Sequence, residues 1–342
     1  MGIQVFVTRD FDQMSETAAQ VVLADMDRVL AERRKYTLGL ATGSSPTGLY
    51  KHLAKALNAG NVEAGKIRSF NLDEYVGLPG ENAQMRALHP ESYSYFMVQE
   101  LFGLMRKKFV ETNVPWGCLI DQAKLMEALK ASPDDWEEQG ADKGKAVVIR
   151  KNAKNEYLRW IREEILDAYA GKIRRMGGVD LHVIGVGGRG HVAFHESGIP
   201  FEGNEMLLVR LDENTVKNAV TDGHFATKED SPQYAISMGA ELVYQAKTVL
   251  LLASGGRKAE PVAASLAEAP GAAVPISYGQ IFAQRGGRMV YVVDRAAGEK
   301  VLERRKEIEA RGVEIVDLCN EPAGKRVDEL AFRRSATSGV ME

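Results

Sequence analysis

The chain has 342 residues, enough for one large α/β domain or two smaller ones. Its 44 basic and 47 acidic residues leave a net charge of -3, so no overall field draws it to nucleic acid or to an anionic membrane. Any grip on an anionic substrate must then be local, made by a loop and a few cations.

Cys118 and Cys319 have no zinc-like spacing and form no disulfide framework, which reads as a reducing compartment. The opening MGIQVFVTRDFD turns acidic before any apolar core of signal length, and no apolar run reaches membrane-spanning length. A cytoplasmic location is expected, with neither membrane nor nucleic acid as partner.

Short apolar runs alternate with helical stretches along the chain. Tyr36 to Leu40 leads through ATGSSPTG into the helix-like LYKHLAKAL, and Ile67 to Leu72 follows. Val179 to Val186 precedes a glycine cluster. Met206 to Leu211, Thr248 to Ala253, Met289 to Val293 and Val313 to Leu318 complete the series. Strands apolar on both faces, alternating with helices, predict an open, mainly parallel, Rossmann-like α/β sheet covered on both sides. Ligands of such sheets bind beyond the carboxyl ends of the strands. Residues 122–154 break the pattern with charged SPDDWEEQGADKGK, and read as a partly helical surface insertion in one domain spanning 1–342. NEYLRWIREEILDAY returns to the core as a helix, and AFRRSATSGVME reads as a weakly anchored tail.

Four segments carry chemistry. In TLGLATGSSPTGLYKHL a strand ends, a Gly/Ser/Thr turn follows and a helix starts near Pro46, so Gly43, Ser44, Ser45 and the free N–H groups of the first turn suit a phosphate. No Gly-Lys-Ser/Thr closes it as a Walker loop. In IRSFNLDEYVGL, Asp73 and Glu74 stand at a strand end, where alternation lets only one of them enter a given site. A carboxylate there suits a general base, although in isolation a helix N-cap is the better reading of Asp73.

HVIGVGGRGHVAFHESG places His191 after a glycine turn as a proton shuttle, with Glu196 to orient it. His191 and His195 would share a face of a helix, but HExxH is absent and no third ligand is evident, so acid/base work outranks a metal. A satisfied structural histidine is a credible reading of His195. Finally, TVLLLASGGRKAEPV puts Lys258 in a first helical turn, unfavourable against the dipole unless an anion sits there. Taken alone, a solvated lysine is the better reading.

In order and context, TGSSPTGLY, FNLDEYVGL, HPESYSYFM, IGVGGRGHVAFHESG and SGGRKA resemble the glucosamine-6-phosphate deaminase family, from about Thr37 to Asp294. The resemblance implies a fold shared with ribose-5-phosphate isomerase and a sugar-phosphate substrate handled without metal or organic cofactor. It implies Gly43, Ser44, Ser45 and Lys258 as phosphate ligands, Asp73 as the base between C2 and C1, His191 for ring opening and Glu196 to orient it. The implied reaction is aldose–ketose isomerisation with loss of ammonia.

The chain departs from that pattern at Arg189, where the family carries Asp or Asn. It departs again at His195 and Ser197, where AFNEP reads AFHES, and at Thr221, near an expected phosphate arginine. Arg189 and His195 are therefore candidate specificity residues, with Arg189 expected to point into the pocket. The lengthened loop between Gly77 and His89 is expected over the site. Rival readings are a 6-phosphogluconolactonase, an isomerase of another sugar phosphate and an inactive sugar-phosphate sensor; a homo-oligomer is compatible with each.

Overall fold

Strands too apolar to leave a face in water must be covered on both sides, and such strands form the centre of an eight-stranded parallel sheet. In the computed structural model the described residues are 2–141, 144–212, 216, 220, 225–228, 231–322 and 327. The strands in chain order are β1 (Ile3–Thr8), β2 (Tyr36–Leu40), β3 (Ile67–Asn71), β4 (Asp73–Val76), β5 (Glu111–Asn113), β6 (Trp136–Gln139), β7 (Lys145–Ile149), β8 (Leu181–Ile184), β9 (Met206–Arg210), β10 (Tyr234–Met238), β11 (Thr248–Ala253), β12 (Arg288–Asp294) and β13 (Val313–Asp317). The large sheet has the order β13-β1-β12-β11-β8-β2-β3-β5, and its paired neighbours run parallel. Every residue of β2, β8 and β11 is buried.

Alternation along β11 sends Leu250 and Leu252 to one face and Val249 and Leu251 to the other. The first face packs on α1 (Phe11–Glu32) and α2 (Thr47–Ala59) through Met14, Val22, Met26, Leu49 and Leu53. The second packs on Tyr169, Ile173, Val262, Leu266 and Phe282 of later helices. The open mainly parallel α/β fold is as expected.

A second, five-stranded antiparallel sheet has the order β4-β10-β9-β7-β6. Met206 to Leu211, expected in the parallel series, belongs here as β9. Its residues are as apolar as those of a parallel strand, and partner direction leaves no mark on such a run. The 122–154 segment, expected at the surface, supplies a helix (Gln122–Ala131) and the β6–β7 pair, and it buries Leu125, Leu129, Val147 and Ile149. The helix expected over NEYLRWIREEILDAY forms, widening to π geometry over Ile161–Asp167. The expected tail, from 331 on, and Thr221 lie outside the described residues. No helix of the described residues is long and apolar enough to cross a membrane.

The strand order sets the site. From β2 the chain moves outward to β3 and β5, whereas β8, β11 and β12 progress the other way, toward β1. The order reverses between β2 and β8, and a crevice opens there beyond the carboxyl ends.

β2 and β8 approach closely because Gly39 has no side chain. A Cβ there would lie 2.1 Å from the ring of His182, which is wholly buried with no hydrogen-bond partner on either nitrogen among the described residues. Burial pushes the His182 pKa down to about 3, so the ring is neutral packing material. Gly39→Ala should cost about 1–3 kcal/mol by overpacking. In chemical denaturation, His182→Ala in the same chain should restore part of that loss; purely additive losses would show that the two do not share this space.

Candidate functional site

A cavity of about 380 Å³ occupies the crevice. It lies in the size range of small-molecule sites. Four strand ends and one helix start supply its walls.

The loop after β2 contributes Ala41 to Pro46. Gly43 has φ +105°, a left-handed conformation costly for any other residue. The loop is held from below by the buried Tyr50, whose hydroxyl donates to the Ala41 carbonyl. Helix α2 begins at Thr47, one residue later than Pro46 suggested, and no side chain caps it. Neither side chain of Ser44 and Ser45 is therefore spent as a cap; the Thr47 N–H donates to the Ser44 carbonyl, and the remaining first-turn N–H groups suit an anion.

Asp73 opens β4, separated from the end of β3 by Leu72 alone. It is 6% exposed, faces the cavity and accepts a hydrogen bond from the Thr42 hydroxyl at 3.3 Å. Burial, then the neighbouring Glu74 charge, push its pKa up to about 8, with the Thr42 bond opposing. Asp73 caps no helix, and it is Glu74 that takes up backbone N–H groups. Its carboxylate accepts from the backbone N–H groups of Tyr75, Tyr93 and Ser94, each at 2.9 Å, and from the Ser94 hydroxyl at 2.8 Å.

The segment after β8 carries His191, whose Nδ1 lies 3.1 Å from Oε2 of Glu196. His191 lines the cavity beside Gly187, where an added Cβ would fall 1.9 Å from the ring. Ala193 has φ +50° and is the one described residue besides glycines at positive φ. Such a residue carries roughly 1–3 kcal/mol of strain, and strain of this kind collects at functional sites.

His195 lies elsewhere. The segment is a series of turns rather than a helix, so the two histidines do not share a helix face. His195 is completely buried; its Nε2 pairs with the Ile199 carbonyl and its Nδ1 accepts from the Ala240 N–H, both at 3.1 Å. These bonds fix the neutral tautomer, and burial lowers its pKa to about 4. The candidate specificity role gives way to a structural one. Arg189 is exposed and is not part of the cavity wall, contrary to its expected direction. The loop 77–89 does not line the cavity either; Tyr93, beyond its end, does.

After β11, Ser254 to Lys258 form the remaining wall. Lys258 is half-buried, and burial, then the Arg257 charge, lower its pKa. Asp294, at the end of β12, pins this loop by accepting from the Ser254 hydroxyl at 2.6 Å and the Gly255 N–H at 3.0 Å. The structure thus brings together Gly43, Ser44, Ser45, Asp73, His191 and Lys258, with Glu196 behind His191. Sequence reasoning missed Thr42, Tyr93, Phe194 and Arg257 in the wall, and Asp294 behind it. Asp294 had a usable signal, a carboxylate ending an apolar strand.

The family model described as glucosamine-6-phosphate isomerases/6-phosphogluconolactonase matches residues 134–287. The chain is similar to a glucosamine-6-phosphate deaminase of Clostridium acetobutylicum, 31% identical over 260 residues, covering 76% of this chain and 86% of the relative. It is also similar to one of Shewanella loihica, 31% identical over 313 residues, covering 90% and 94%. Among solved structures it resembles a monomeric glucosamine-6-phosphate deaminase at TM-score 0.63, 23% identity and coverage of 87% and 100%. A 6-phosphogluconolactonase from Leishmania guyanensis follows at TM-score 0.54, 20% identity and coverage of 88% and 99%.

A carboxyl group whose folded pKa lies above its unfolded value keeps a proton that the unfolded chain gives up. Asp73 therefore withdraws stability as pH rises from about 4 to about 8. Asp73→Asn should be more heat-stable than the parent at pH 8, and the two should converge near pH 4. Thermal melts across that range check it; parallel melting curves would place the Asp73 pKa near its ordinary value.

Proposed function

Because this chain belongs to the glucosamine-6-phosphate isomerase/6-phosphogluconolactonase family, we propose that it isomerises and deaminates an amino-sugar phosphate, glucosamine 6-phosphate or a close relative. The observation that carries the reading is one buried, pocket-facing carboxylate, Asp73, sharing a cavity with a His–Glu pair and with two phosphate-suited loops.

The phosphate sits between the Gly43–Ser45 turn, with the N–H groups opening α2, and the Lys258 ammonium. Arg257 adds positive charge at the same wall. Anchoring at C6 leaves the C1–C2 end toward Asp73 and His191. His191, held by Glu196, moves the proton between the ring oxygen and the C1 hydroxyl, which opens the sugar. Asp73 then takes the C2 proton and returns it at C1. The enolamine becomes an imine, and water releases ammonia and a ketose phosphate. A base must be ionised to act, so the raised Asp73 pKa places the acid limb of the rate near neutrality until a bound substrate's charges shift it. Both cysteines are free thiols, in keeping with a cytoplasmic enzyme.

Turnover across a panel of sugar phosphates, with ammonia and ketose both followed, tests the reading. Ammonia release from an amino-sugar phosphate is expected; hydrolysis of 6-phosphogluconolactone alone would overturn it. Asp73→Asn should abolish C2 proton exchange in deuterated water while substrate still binds, and exchange at the parent rate would remove Asp73 from the base role. Lys258→Met should weaken sugar-phosphate binding by roughly 1.5–3 kcal/mol, the scale of a charge-assisted hydrogen bond. Binding of the unphosphorylated sugar should hardly change, and equal losses for both would show that Lys258 does not read the phosphate.

A further inference from the structure

We propose that Glu74 is a positioning residue for proton transfer: it anchors the helix start that brings Tyr93 to the pocket wall, and it sets a fixed negative charge one residue from Asp73. The inference rests on Asp73 being the base.

Two observations lead to it. First, Glu74 is 1% exposed and no cation pairs with it among the described residues. Its partners are three backbone N–H groups and one hydroxyl, of which Tyr93 N–H, Ser94 N–H and Ser94 Oγ open the helix Tyr93–Met97. Ser92 already caps that helix by accepting from the Tyr95 N–H at 3.0 Å. Glu74 is therefore not its cap but a tie between the helix and β4. A buried carboxylate is a costly tie where a neutral side chain would serve for structure alone, because its ionised form must be desolvated.

Second, the tie ends at the cavity. Tyr93 and Phe194 both line it, and their rings lie nearly parallel with centroids 6.2 Å apart. The Tyr93 ring also packs on Tyr75, centroids 4.8 Å apart, with their hydroxyls 3.4 Å from each other. Burial holds the Tyr93 phenol protonated, and its hydroxyl donates to that of Tyr75. Phe194 is in turn fixed through its N–H to Oγ of Ser237, and Ser237 is the register partner of Asp73. Glu74, Tyr93, Phe194 and Asp73 thus form one connected wall.

The charges around the two acids decide the pH behaviour. Asp73 faces Thr42, Tyr50, Tyr75, Tyr93 and Tyr169 besides Glu74, and looks across the cavity to His191 and Lys258. Glu74 faces Tyr75, Tyr93, Ser94 and Cys118, with Arg86 near Cys118. Of these, Glu74 is the fixed anion against Asp73, and removing its charge makes Asp73 easier to ionise.

Two substitutions in the full-length enzyme separate charge from anchoring. Glu74→Gln keeps the length and removes the charge; its acid limb of kcat/KM should move down by about half a pH unit or more. Glu74→Asp keeps the charge and shortens the reach. It should hold the parent acid limb and raise KM roughly three- to tenfold, the scale of one or two lost hydrogen bonds. Tyr93→Phe should reproduce part of that KM rise with no shift in the limb. Unchanged acid limb in Glu74→Gln together with unchanged KM in Glu74→Asp would overturn the inference, as would variants that only lower the melting temperature. If Glu74→Gln does not fold, Ser94→Ala, which removes one partner of the tie, should raise KM; an unchanged KM there overturns the anchoring. The parent and Asp73→Asn run alongside. Loss of C2 exchange in Asp73→Asn with no effect at Glu74 defeats this inference alone, and exchange retained in Asp73→Asn defeats the base assignment beneath it.

Discussion

The site hangs on the backbone of one residue, Leu72. Its N–H donates to the Leu40 carbonyl in the parallel sheet, and its carbonyl accepts from the Met238 N–H in the antiparallel one. Leu72 is 2% exposed and cannot turn to water for either bond. The chain is therefore committed at this point to both sheets, and the next side chain, Asp73, is delivered where they diverge. Its distance from the glycine turn after β2 follows from the same bond, because Leu40 is the last residue before Ala41.

That junction explains how two adjacent acids live in one small volume. Strand alternation turns Asp73 toward the cavity and Glu74 away, where backbone N–H groups satisfy it. Burial raises the pKa of both, but hydrogen bonding opposes it at four donors for Glu74 and at one hydroxyl for Asp73. The two environments thus divide one sequence feature, Asp-Glu, into a cavity-facing carboxyl and a hydrogen-bonded anchor. The positive wall lies across the cavity, where Arg257 and Lys258 open a helix against its dipole. A chain of net charge -3 places two adjacent cations there, a cost that a bound phosphate would offset.

Much of this was legible in the sequence, and the rest was hidden for identifiable reasons. β2 and β11 coincide with the apolar runs Tyr36 to Leu40 and Thr248 to Ala253, since full burial on both faces writes an uninterrupted run. The loops after them were legible through glycine, whose backbone freedom has no substitute at Gly43 and Gly255. The division into two sheets was not, because β9 reads as an apolar strand whichever way its partners run and the short run of β10 lies outside the predicted series. The β6–β7 pair was masked by Glu137 and Glu138, which put charge on an edge strand where it discourages edge-to-edge pairing. Glu74 and Asp73 have the same local sequence, and only the arrival of Tyr93 and Ser94 from twenty residues away tells them apart.

His195 and Arg189 teach a complementary point about departures from a family pattern. A substituted residue beside a catalytic motif invites a role in substrate choice, yet geometry assigns each position separately. His195 alternates with Phe194 about the turn that closes on Val192, and the pocket side belongs to Phe194. The imidazole is left in the interior, bonded to Ile199 and Ala240, so it braces the turn from behind. Ala193, held at positive φ between His191 and Phe194, needs such a brace: strain persists only where surrounding bonds over-determine the backbone. The turn that carries His191 and Glu196 is thus backed by a buried histidine that does not line the cavity. Sequence position next to a site and participation in it are different properties, and the hydrogen-bond partners decide between them.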